Sequence, residues 1–397
     1  MPLLQFLRNR NFLALIVANT VFATAFPIQL ILGGLAGLQL APSAALATLP
    51  SSVQTLAALV AAGPFSMLMG RLGRGVGFAF GGILTSVGAC LAIFALMRQD
   101  FVMLCLGHFL MGAGWASFQY FRFAASEVVA PTWRPVAISF MLSSGLFAAL
   151  LGPQAFIAFR DALVPPPFAG AYLAVAAIGV LGLLPLGFLR IKARRTASEA
   201  GSWRVGLGAL NRFEVRRAIA IAALSQGIMV FLMVPTPLAM VGCGLTEAAA
   251  SDVVRWHIVA MFAPSFLTGF VIQRFGAKRV ATAGLLVILV SAVVAATGLA
   301  VGHFYLSLIV LGVGWNLGFI GATTMLDAAL TEREKPSAQG LNDTAIGLVS
   351  AIAAFGAGAM LAQFGWIILA AVSGTIVLIA LVVLLAQRTP ERPLPKP

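Results

Sequence analysis

Twelve times along this chain an apolar stretch of about twenty residues runs between short polar segments. A stretch of that length spans a bilayer as a helix, and inside hydrocarbon each backbone N–H and C=O must be bonded within the chain. Helices and closed barrels meet that demand. The stretches here are continuous, not alternating, so they exclude a barrel. Composition agrees: 60% of the residues are hydrophobic and 9% charged, against roughly 25% charged in soluble domains. The expected class is an all-α integral membrane protein.

The spans fall near 12–36, 46–69, 76–97, 101–124, 136–158, 167–189, 217–241, 251–272, 279–301, 303–325, 340–362 and 365–387. The first is too long for a signal peptide and lacks a cleavage site, so it reads as a retained helix. With the N-terminus in the cytoplasm, 21 of the 25 Lys and Arg lie on that side. Arg98 and Arg160 lie outside, and Arg122 and Arg255 within spans. This distribution fixes the orientation and accounts for the net charge of +13 without a nucleic-acid partner. Cys90, Cys105 and Cys243 form no CxxC pair, so neither a disulfide framework nor a zinc site follows.

The sequence also repeats. Gly112, Ala113, Gly114 and Trp115 are matched by Gly312, Val313, Gly314 and Trp315, Glu127 by Asp327, and Pro135 by Pro336. This divides the chain into a six-helix half over 1–189, a basic cytoplasmic linker over 190–216, a second half over 217–387 and a tail over 388–397. Six spans per half give the two halves the same orientation, as parallel repeats about an axis along the membrane normal. A membrane chain so built is expected to hold a small-molecule solute between its halves.

The loops after spans two and eight carry Arg71, Gly73 and Arg74, and Arg274, Gly276, Lys278 and Arg279. With Gly269, these residues resemble the repeated signature of the major facilitator superfamily: a glycine, three residues, an acid, a base, any residue, a glycine, then further bases. The resemblance covers the whole chain and implies that fold, with twelve transmembrane helices and alternating access. Gly70 and Gln273 replace the expected acids, and Ser66 replaces the first glycine. Glu127, Arg134 and Asp327 are therefore candidate gating partners for Arg71, Arg74 and Arg274. Arg255–Gly276, Gly312–Thr324 and the pair Asn342 and Asp343 also resemble one bacterial subgroup, some relatives of which are thought to move riboflavin.

In that fold, helices one, four, seven and ten line the cavity. The candidate solute contacts are Asn19, Gln29, Trp115, Gln119, Arg122, Gln226, Trp315, Asn316 and Thr323. Trp115, Gln119 and Arg122 stand at i, i+4 and i+7, on one face of a helix. Each has a plainer alternative. Asn19, Gln29 and Asn316 serve equally as interhelical hydrogen-bond formers, the tryptophans as packing, and Arg122 as a residue snorkelling to the interface. Arg255 can pair with Asp252, three residues earlier. His257 and Asp343 are the candidates for proton coupling, against a structural histidine and a helix-capping aspartate. No carboxylate is expected mid-membrane, which favours an anionic or neutral, hydrogen-bonding, aromatic solute over a cation. HExxH, GxSxG and Walker motifs are absent, so an enzyme is not expected, nor a cofactor or metal. The remaining expectations are a monomer in the bacterial inner membrane, both termini cytoplasmic, and, as the alternative function, a non-transporting assembly or sensor protein on the same fold.

Overall fold

A computed structural model describes residues 9–130, 134–189, 207–331 and 334–386, and their regular structure is helical. The first half comprises α1 (Arg10–Leu40), α2 (Leu49–Leu72), α3 (Arg74–Arg98), α4 (Phe101–Phe118), α5 (Phe121–Glu127), α6 (Arg134–Phe159), α7 (Ala169–Leu181) and α8 (Leu183–Leu186). The second comprises α9 (Phe213–Met233), α10 (Thr236–Gly242), α11 (Glu247–Phe262), α12 (Ser265–Phe275), α13 (Ala277–Ala296), α14 (Val301–Ala329) and α15 (Lys335–Ala386). Residues 190–206 of the expected linker and the tail 388–397 lie outside the described residues.

Local chemistry explains where these helices start and break. The side chains of Asn9, Asp100 and Thr246 accept from the backbone N–H of Phe12, Met103 and Ala249, capping α1, α4 and α11. Pro264 stands where α11 gives way to α12 with a 40° bend, and its missing N–H removes a hydrogen bond there. Among the described residues, nine helical segments are long and apolar enough to span a membrane, or ten with that bent pair. α15 changes course at Gly365 (φ 75°), and α6 adds a further apolar helix, which is consistent with twelve crossings.

Two departures from the expected boundaries matter. Span four breaks at Gln119 and Tyr120, so the single face drawn through Trp115, Gln119 and Arg122 is interrupted before it reaches the arginine. α15 begins at Lys335, two turns ahead of Asn342 and Asp343. They therefore sit inside a helix and cannot cap one, because the backbone donors around them already bond along the helix.

Glycines bring neighbouring helices close in the same way in both halves. A Cβ on Gly107 would lie 2.7 Å from the Gly88 carbonyl, between α3 and α4, and one on Gly284 would lie 2.2 Å from the Gly318 nitrogen, between α13 and α14. The halves meet unevenly. At the end remote from the termini, Arg160 pairs with Glu247 at 2.9 Å, and the Ser251 hydroxyl donates to the Pro153 carbonyl. Residues 27–37 of α1 are all buried at this end, as are eight residues of α11. Towards the termini α12 buries Thr268 alone, and Phe266, Leu267 and Phe270 are exposed. α11 packs against α6 of the other half, whereas α12 has no comparable packing on it among the described residues, so the halves are joined at the far end and part toward the end carrying the termini.

Candidate functional site

The direction in which α14 presents its side chains follows from its glycines. Gly314 abuts Ile288 of α13, Gly318 abuts α13 and Ser225 of α9, and Gly312 abuts α11. Asn316 bonds to α11 and α12. On a 100° per residue wheel, Trp315 and Phe319 occupy the face left over, which looks between α9 and α11 toward the other half. The two rings stack with centroids 5.0 Å apart, and Phe262 meets Trp315 edge-on at 6.0 Å. The Trp315 Nε1–H donates to Gln226 Oε1 at 2.7 Å. In the first half, Trp115 stacks on Phe26 of α1 at 4.5 Å, and Phe118 meets it edge-on.

Three expected solute contacts are occupied within the scaffold. Asn19 donates to the Met141 carbonyl and to Ser144 Oγ, tying α1 to α6. Gln29, 2% exposed, accepts from Gln54. Asn316 is fully buried; it donates to the Met261 carbonyl and Ser265 Oγ and accepts from Thr268. The reason is common to all three: an amide taken out of water must be bonded, and the nearest partners are neighbouring helices. Thr323 is exposed and bonds its own helix at the Phe319 carbonyl. Gln119 is exposed at the break in span four.

Just beyond that break lies Arg122, its guanidinium 4.8 Å from the Phe123 ring and its Nε buried without a hydrogen-bond partner. It acts electrostatically on Asp343, which α15 brings from the opposite half, yet the two form no contact ion pair. Asp343 accepts from Asn342 at 3.3 Å. Arg255 pairs with Asp252, the plainer of its two readings. His257 is fully buried, with Nδ1 2.7 Å from the Leu308 carbonyl; Nδ1 is therefore the protonated donor.

At the end carrying the termini, Gly73 (φ 96°, ψ 159°) and Gly276 (φ 84°, ψ 145°) make equivalent turns in a region only glycine enters freely. Arg74 bonds Glu127 through two nitrogens, at 2.6 and 3.3 Å, and stacks over Tyr120. Asp327 pairs with Lys335 at 3.0 Å, whereas Arg71 and Arg274 are exposed. The side chain of Arg134 lies outside the described residues. Each of these pairs joins residues of one half. Two cavities of about 380 and 360 Å³, beside Leu186 and Trp366, touch none of these side chains.

Sequence reasoning missed Phe26, Phe319 and the Arg160–Glu247 bridge. It also missed a buried chain in which Gln54 links Gln29 to His108, and His108 meets the Tyr172 hydroxyl at 2.8 Å. A phenylalanine in an apolar helix carries no pattern that marks it. The polar residues of that buried chain, one from each of four helices, were the available signal.

A family model described as Major Facilitator Superfamily matches residues 218–397. The riboflavin transporter RfnT of Brucella anthropi is 37% identical over 361 residues, covering 90% of each chain. The uncharacterized MFS-type transporter YddS of Bacillus subtilis is 29% identical, over 85% of this chain and 81% of that one. Among solved structures, a partially occluded inward-open xylose transporter XylE from E. coli superposes with a TM-score of 0.74, covering 97% of this chain and all of that one, at 11% identity. The nucleoside transporter NupG gives 0.67, over 95% of this chain and 99% of that one, at 13% identity. At such identities the likeness concerns the fold.

Proposed function

Because the chain belongs to the major facilitator superfamily, we propose that its solute is riboflavin or a close flavin, moved by alternating access through the cleft between the halves. The observation that carries this reading is 37% identity over 90% of both chains to a riboflavin transporter. The cleft chemistry supports it. A flavin is a planar, uncharged heteroaromatic ring with carbonyl and imide groups on one edge. Trp115 with Phe26, and Trp315 with Phe319, offer ring faces for stacking. Gln226, Gln119 and Thr323 offer hydrogen bonds, and no acid among the described residues at mid-membrane demands a cation.

The halves part toward the termini, and the excess of basic residues at that end supports a cytoplasmic side there, in a bacterial inner membrane. The state described is therefore inward-facing. A monomer suffices, since both walls of the cleft come from one chain. The proposal is tested with purified protein in proteoliposomes loaded with riboflavin or facing it outside. Saturable flavin flux, absent from empty liposomes, is the expected result. A folded, correctly inserted protein that neither binds nor moves riboflavin overturns it.

A further inference from the structure

The two tryptophans of the repeat are 200 residues apart, and so are their partners on the equivalent helices: 115 and 315, 26 and 226. Each tryptophan touches the residue at that equivalent place on α1 or α9. The contacts differ in kind. In the first half, two rings stack, Phe26 on Trp115 at 4.5 Å. In the second, Gln226 replaces the phenylalanine and accepts a hydrogen bond of 2.7 Å from the indole. Duplication has given the cleft an aromatic pair in each wall, and in the second wall an amide held by the indole as well.

An indole nitrogen only donates, so the atom facing it must be the amide oxygen. That fixes the flip of the Gln226 amide, and Nε2 is left as its outward group. Nε2 has no partner among the described residues and is not sealed from solvent. The indole is itself held, stacked on Phe319 and met edge-on by Phe262, so it cannot swing away with the amide. The half-buried amide thus presents a fixed donor at the cleft.

We propose that Trp315 is a positioning residue that orients Gln226, and that Gln226 Nε2 reads a carbonyl acceptor on the edge of a planar heteroaromatic solute whose ring stacks on Phe26 and Trp115. This rests on the flavin reading and goes beyond it, because it assigns specificity to one amide and its orientation to one indole. Riboflavin satisfies the rings and the amide. A flat hydrocarbon satisfies only the rings.

The test uses the full-length protein in detergent, titrated with riboflavin and with its 2-thio and 4-thio analogues, in which sulfur, a weaker acceptor, replaces one carbonyl oxygen. Wild-type protein is expected to bind one of the two analogues about three- to tenfold more weakly than riboflavin, the size of one hydrogen bond. Gln226→Leu binds all three at the weaker level, so the preference disappears. Trp315→Phe keeps an aromatic ring in place but deletes the N–H, and the preference falls by at least half. Phe26→Ala weakens all three flavins alike and leaves the preference intact. Full wild-type preference in both Gln226→Leu and Trp315→Phe overturns this inference and leaves the flavin reading standing. Wild-type protein that binds no flavin overturns the flavin reading itself.

Discussion

Arg122 is the residue whose surroundings fit it least. A guanidinium with a buried, unpartnered Nε is costly in apolar surroundings, and such a group persists where function requires it. The opposite charge acting on it, Asp343, belongs to the other half and is out of contact in this state. Closing the end that carries the termini is expected to bring the two into contact, as a cross-half gate in place of the missing acid at Gly70. Arg122→Ala and Asp343→Asn are each expected to lower transport at least about tenfold, on the order of one lost charged hydrogen bond, with insertion unaffected. The exchange Arg122→Asp with Asp343→Arg should recover part of the loss. Flux measured in proteoliposomes checks this, and normal flux in Arg122→Ala would reduce the arginine to an interface anchor.

At the scale of single helices, the broken span formed by α11 and α12 depends on one side chain. Pro264 and the bend around it leave the Met261 carbonyl without the next turn's donor, and Asn316 supplies one while also bonding Ser265 and Thr268. Asn316→Ala removes three bonds at once. Membrane hydrogen bonds average about 0.6 kcal/mol each, so a loss of about 2 kcal/mol is expected, seen as a lower unfolding temperature in detergent. Asn316→Asp should fare no better, because it loses the two donations. A wild-type melting profile for Asn316→Ala would show that the bend holds without it. The all-helical membrane class and the glycine turns were legible in the sequence, because apolar length and Gly73 and Gly276 are local signals. The break at Gln119–Tyr120 was not, because no proline or glycine marks it. The role of Asn316 was equally hidden: an asparagine that mends a neighbouring helix and one that faces a solute look identical in one dimension.

For the whole molecule, the question is what holds the far end shut while the other end is open. Tight apolar packing contributes: Gly34 lies against Leu238, and Gly358 against Thr48, across the halves. Lipid tails are as apolar as these side chains, however, so packing alone gives little bias between closed and parted halves. The Arg160–Glu247 pair differs, being directional, roughly one-third exposed, and made between the two halves at that end. At the other end Arg74–Glu127 and Lys335–Asp327 stay within single halves and Arg212–Glu334 ties the linker to the second half, so none of these pairs joins the first half to the second. The bridge therefore acts on the equilibrium, not on the stability of either half. An exposed pair contributes about 0.2–1 kcal/mol, enough to change the ratio of inward- to outward-facing protein by about 1.4- to fivefold. Glu247→Gln is expected to raise modification of a single cysteine introduced at Ser251 by a membrane-impermeant thiol reagent from outside, by a factor within that range, in a background lacking the three native cysteines. The melting temperature should stay unchanged. Unaltered labelling with wild-type flux would mean that packing alone closes the far end, and the polar bridge would then have no part in alternation.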